Sequence, residues 1–148
     1  MLRQILFGVA ISLSNIAVHA VAMAMVISAG RAAAATYSSS TRATVRLIAV
    51  MIAIVSVLMA AHVVEIGVWS LAYAMTDVVP PEADRFYFAF VNFTTLGYGD
   101  VLPMPRWRLL GPMTAMNGVL LFGWSTALIF EVLRTTLHTG AITAPPLR

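Results

Sequence analysis

The chain has 148 residues, of which 60% are hydrophobic and only 10% charged, against about a quarter charged in an ordinary soluble domain. This composition, with a mean hydropathy of +0.89, excludes a water-soluble globular protein and makes the lipid bilayer its first partner. The nine basic residues, all Arg, exceed the acids by three but are scattered over loops and helix ends, so no nucleic-acid surface is expected. Without a single Cys, neither a disulfide framework nor a thiolate metal site can form.

From Gln4 to Gly30 no Arg, Lys, Asp or Glu interrupts an apolar run, which exceeds the roughly 20 residues needed to cross a bilayer as a helix. Ser12, Ser14, Asn15 and His19 give this first span a weakly polar face, whose expected meaning is helix contact rather than ligation. Residues 1 to about 24 also fit a signal peptide superficially, with Arg3 before an apolar stretch and the small-residue sequence Ala20-Val21-Ala22. Cleavage there would turn the later spans over, so retention is expected. The linker that follows carries Arg31, Arg42 and Arg46 around Ser38-Ser39-Ser40, which favours the cytoplasm and leaves the N-terminus outside.

A second span runs from Leu47 to about Met75 and is broken only by His62 and Glu65. Glu65 lies about ten residues, or ~15 Å, from the outer end of that helix, where an unpaired carboxylate is costly. It needs a partner or a proton, and His62, three residues earlier on the same face, is the nearest candidate. The pair reads as a pH sensor, as a metal or catalytic site in a membrane enzyme, or as a structural polar contact to the re-entrant helix or a neighbouring subunit. No further cluster of His or acids completes a metal site, so no enzyme is expected.

Two turn signals, Pro80-Pro81 and Pro103-Met104-Pro105, bracket the aromatic segment from Phe86 to Phe93. Even with its flanks, at about eleven residues, it is too short to span. Glu82 and Asp84 place acids at its N-terminus, so it reads as a half-membrane helix entering from one face. The glycine-containing strip after it must return to that face, and non-helical backbone at membrane depth is tolerated only where it lines a cavity or is enclosed by protein. Asn92-Phe93-Thr94 spells a glycosylation acceptor, but inside such a helix it carries no meaning.

The third span, Leu109 to about Leu133, follows Arg106-Trp107-Arg108 and ends at Glu131 and Arg134. Within it Gly118 and Gly123 mark either a gating bend or close helix contacts. Phe122, Phe130 and Leu133 either narrow an inner mouth as a dewetting gate or pack against lipid and neighbours. Glu131 either contributes to a ring of acids that concentrates cations or pairs with Arg134 at i,i+3.

The strip Thr94-Thr95-Leu96-Gly97-Tyr98-Gly99-Asp100 resembles the selectivity filter of potassium channels, departing from the usual TVGYG form only in Leu96 for Val. Its chemistry follows from a stripped K⁺ ion, which needs oxygen atoms on all sides at each step. Successive carbonyls must point to one axis, and alternating right- and left-handed backbone achieves this where glycine takes the left-handed positions, here Gly97 and Gly99. The carbonyls of Thr95, Leu96, Gly97 and Tyr98, with the Thr95 hydroxyl, would then bind K⁺. One chain supplies one strip, so a homotetramer is expected.

The segment from Asp84 to Thr95 also resembles the pore helix of voltage-gated and bacterial two-helix potassium channels. That resemblance covers about residues 47 to 135 and leaves the first span as an added peripheral helix. It implies that Tyr87 and Phe88 brace the filter from behind, Tyr87 bonding Asp100 and Phe88 packing near Tyr98. Val91 stands where some bacterial members place Glu, so a buried carboxyl pair with Asp100 is absent.

The expected protein is therefore an all-α membrane protein with three transmembrane helices and a re-entrant pore helix and filter loop between the second and third. Residues 1–46 form the first span and cytoplasmic linker, 47–135 the pore domain, and 136–148 a short tail. The expected activity is passive K⁺ conduction in a bacterial-type plasma membrane, with a cytoplasmic C-terminus and no cofactor beyond the permeant ion. A weakly selective cation channel and a non-conducting accessory subunit are the alternatives.

Overall fold

The computed structural model describes residues 1–35 and 43–142, with side chains over 1–31 and 44–135. The Ser38–Ser40 stretch and Arg42 of the linker, and Arg148 of the tail, lie outside the described residues. Hydrocarbon offers no water to the backbone, so spanning segments must satisfy their own N–H and C=O groups, and the helix does so within one chain. Accordingly, the regular elements among the described residues are all helical: α1 (Leu2–Ala35), α2 (Ala43–Thr76), α3 (Arg85–Phe93) and α4 (Leu110–Ile142), with a 3-10 turn at Pro105–Trp107. Three segments, Leu2–Arg31, Thr44–Thr76 and Pro105–Thr135, are long and apolar enough to cross a membrane. At nine residues α3 is not.

One end of the bundle gathers the start of α1, the end of α2 and the start of α4. There the Leu109 N–H donates to Gln4 Oε1 at 3.1 Å, the Arg3 guanidinium lies 5.3 Å over the Trp107 ring, and the Met104 N–H donates to the Val78 carbonyl at 2.7 Å. The N-terminal end of α1 is thus on the same side as the mouth of the re-entrant loop.

Each long helix buries one stripe. On α2 it includes Leu58, Glu65, Trp69 and Tyr73; on α4, Leu110, Asn117, Leu121 and Ser125. The stripe is faint in the sequence because lipid-facing positions are as apolar as buried ones. α1, set outside the pore domain by the sequence reading, packs against both α2 and α4. Phe7, Ile11 and Ile16 meet the main core, and Asn15 and His19 are fully buried. The reason is the polar face of α1, which in lipid must turn inward to find partners.

Candidate functional site: the re-entrant segment and its supports

α3 starts where Asp84 stops the chain from fraying. Its Oδ1 accepts hydrogen bonds from the backbone N–H groups of Phe86 at 2.8 Å and Tyr87 at 3.1 Å, satisfying donors that the first helical turn leaves open. Phe88, Ala89, Val91 and Phe93 turn to the core, while Phe86, Tyr87 and Phe90 are exposed. The Phe88 ring lies 5.2 Å from that of Tyr73 on α2. Packing of Phe88 near Tyr98 is not made within the chain, where Tyr98 is 69% exposed. Tyr87 lies on the exposed side of α3 and Phe88 on its core side.

The helix ends in a Schellman motif. The Leu96 N–H donates to the Val91 carbonyl at 2.9 Å and the Thr95 N–H to the Asn92 carbonyl at 3.0 Å, with Thr95 left-handed at φ 60°. Glycine normally takes that position, and a side chain there costs on the order of 1–2 kcal/mol. Two further left-handed residues follow at alternate positions, Gly97 at φ 59° and Gly99 at φ 77°, with Leu96 and Tyr98 between them outside that region. Sequence reasoning named Thr95 as a ligand but assigned the left-handed conformation to the glycines alone, because the helix cap that imposes it on Thr95 is set by α3 and not by the residue itself. At the far end of the strip, the Tyr87 hydroxyl donates to Asp100 Oδ2 at 2.7 Å. The carboxylate beside it holds the Tyr87 hydroxyl above the usual tyrosine range.

Beneath the strip, α3 rests on Gly118. A Cβ at that position would lie 2.0 Å from the Phe93 carbonyl oxygen and 2.9 Å from its carbon, whereas one at Gly123 would meet nothing within 4 Å. Gly118 therefore meets the end of α3 with no room for a side chain, whereas Gly123 has open space around it. The Phe122 ring packs 4.7 Å from His62 and 5.5 Å from Phe93. Phe130 is exposed, and exposed Glu131 pairs with Arg134 at 2.9 Å.

Glu65 is fully buried and has two imidazole partners. His62 Nδ1 lies 2.8 Å from Oε2 and His19 Nδ1 2.9 Å from Oε1. Sequence reading named His62 as the nearest partner of Glu65; the structure adds His19, whose bond to Glu65 is a helix contact between α1 and α2, as expected of the polar face of α1. Glu65 contacts α1 rather than α3. The signal was present in the sequence, since an ionisable residue at mid-span in each of two consecutive helices calls for a shared partner. One turn before His19, Asn15 Nδ2 donates to the Glu65 carbonyl at 3.1 Å and to Asn117 Oδ1 at 3.0 Å, and Trp69 Nε1 donates to the same Oδ1 at 3.0 Å.

A family model described as ion channel matches residues 61–135, just over half of the chain. The chain belongs to the ion channel family. In this ion channel chain the matched stretch begins inside α2 at Ala61 and takes in α3, the strip and the membrane-crossing part of α4, leaving α1 with Asn15 and His19 outside it. No curated protein and no solved structure matches the chain.

Proposed function

We propose that this ion channel subunit assembles as a homotetramer around the Thr95-Leu96-Gly97-Tyr98-Gly99 strip and conducts K⁺ selectively and passively. The observation that carries the reading is the left-handed backbone at Thr95, Gly97 and Gly99. Alternation of this kind turns successive carbonyls the same way, as a dehydrated cation requires. The carbonyls of Thr95, Leu96, Gly97 and Tyr98, with the Thr95 hydroxyl, act as the K⁺ ligands. The Schellman cap fixes the lower end of the strip and the Tyr87–Asp100 hydrogen bond its upper end.

Assembly is supported by what one chain leaves uncovered. Phe86, Phe90, Leu96 and Tyr98 around the strip, and Met116, Val119 and Leu120 on α4, are exposed. Aromatic and aliphatic side chains on the filter side of a re-entrant loop cannot all face lipid, because the loop backbone beside them needs enclosure. The neighbouring subunits supply it, with α2 on the outside and the exposed face of α4, including Gly123, toward the axis. Conduction follows from the fold with α4 as inner helix and requires no chemistry at Glu131, whose charge is balanced by Arg134.

Flux from liposomes holding the purified protein under a K⁺ gradient, repeated with Na⁺ and with Ba²⁺ as a filter blocker, tests this directly. K⁺ flux that exceeds Na⁺ flux and stops with Ba²⁺ is expected. Equal fluxes would make it a weakly selective cation channel with Leu96 as the suspect, and no flux from intact tetramers would make it an accessory subunit.

A further inference from the structure

Between α1, α2 and α4, three side chains unconnected with the permeation strip converge on one point. One ligand atom from each of His19, His62 and Glu65 lies within 4.8 Å of the others. His19 and Glu65 are fully buried, and His62 is 13% exposed. We propose that these three residues bind a divalent transition metal of the zinc type.

The donor set decides the class of ion. Two imidazole nitrogens and a carboxylate suit Zn²⁺ and its neighbours, whereas Ca²⁺ and Mg²⁺ require oxygen shells that this site does not have. His62 and Glu65 at i,i+3 present their donors from one helix, and His19 comes from the facing helix, as in metal sites built inside helix bundles. Gaps of 2.8 and 2.9 Å between carboxylate oxygen and Nδ1 need to open only slightly to become the edges of a coordination polyhedron with bonds of about 2.0–2.2 Å.

Ser125 supplies the outer support. Its hydroxyl oxygen lies 3.1 Å from His62 Nε2 and 3.3 Å from His19 Nε2. With a metal on both Nδ1 atoms, each neutral ring carries its proton on Nε2 and donates it to Ser125, whose oxygen has two lone pairs to accept them. One hydroxyl thus fixes both tautomers and aims both ligand atoms at Glu65. Without a metal, the cluster brings only three protons to four contacts: one from the hydroxyl and one from each neutral imidazole. A divalent metal would replace the two Nδ1–carboxylate contacts by bonds to three acceptor atoms, and the two Nε2–H groups would then fill both contacts to Ser125. Binding moves each imidazole proton from Nδ1 to Nε2, with no net loss from the neutral rings, as the two nitrogen–metal bonds and the oxygen–metal bond form.

The experiment uses the full chain purified in lipid nanodiscs and stripped with a chelator, with Co²⁺ and Zn²⁺ as probes, and needs no ion flux. Co²⁺ titration is expected to give one ion per chain, with the visible bands of a four- or five-coordinate centre, displaced by Zn²⁺. X-ray absorption at the zinc edge of the wild-type protein is expected to show two imidazoles and a carboxylate. His19→Gln and Glu65→Gln lose binding at least tenfold, Ser125→Ala loses about 10–100-fold, and His138→Ala, which alters the remaining histidine, keeps it. A monodisperse wild-type protein that binds no stoichiometric Co²⁺, an absorption spectrum without imidazole ligands, or binding that survives His19→Gln and Glu65→Gln would each overturn the site, leaving the cluster to hold a proton in place of the metal.

Discussion

Two glycines on one helix have opposite meanings at the scale of single atoms. At Gly118 a methyl group would strike the Phe93 backbone, and backbone cannot swing aside as a side chain can. Gly118→Ala is therefore expected to cost at least about 1–3 kcal/mol and to disturb the end of α3, read as a lower melting temperature in detergent together with lost flux. Gly123→Ala meets open space and gains helix propensity of up to about 1 kcal/mol, so its melting temperature holds or rises. A fall in flux in that variant alone would identify Gly123 as the bending point. The Tyr87–Asp100 hydrogen bond makes a further prediction, this one in pH. Because Asp100 raises the Tyr87 hydroxyl above its ordinary range, the bond contributes fully below a tyrosine's usual value near 10 and is lost only as pH climbs through the raised one. Ultraviolet titration is expected to show one more late-ionising tyrosine in the wild type than in Tyr87→Phe, and that component is brought down toward 10 in Asp100→Asn.

α3 has only nine residues, too few to persist without its ends and neighbours. Asp84→Ala removes the acceptor for two backbone donors and is expected to destabilise the protein by about 1 kcal/mol, while Asp84→Asn keeps most of the cap. Thermal unfolding of the two variants side by side distinguishes the cap from the charge. α1 is joined to the pore helices by Asn117, whose Oδ1 serves both Asn15 and Trp69. In Asn117→Leu both donors lose their acceptor inside the bundle, at about 0.6–2 kcal/mol each. The expected readout is faster proteolysis or solvent exchange of α1, with secondary structure retained by circular dichroism.

For the whole molecule, the proposed filter makes the ion part of the assembly. Ions held by carbonyls from all four chains bind the tetramer and not the separated subunits, which shifts the equilibrium by mass action. At a hundredfold excess over Kd this amounts to about 2.7 kcal/mol per site. The tetramer seen by native mass spectrometry or gel migration is expected to dissociate at a lower temperature in Na⁺ than in K⁺. Equal dissociation temperatures in the two salts would speak against a K⁺-selective filter.

The sequence alone determined the spans, the re-entrant segment between two proline turns and the glycine spacing at Gly97 and Gly99, because length, hydropathy and left-handed backbone are properties of a local stretch of chain. It also gave the i,i+3 pairing of His62 with Glu65, which one helix fixes by its own pitch. What only the tertiary structure decided depends on which face of each helix turns inward: Phe88 against Tyr73, Gly118 beneath Phe93, Phe122 folded back on His62, and α1 drawn into the core. In a membrane protein the outward face is as apolar as the inward one, so hydropathy cannot choose between them. The choice falls to the few polar groups that must find partners, and for this reason His19 meets Glu65 across 46 residues of sequence.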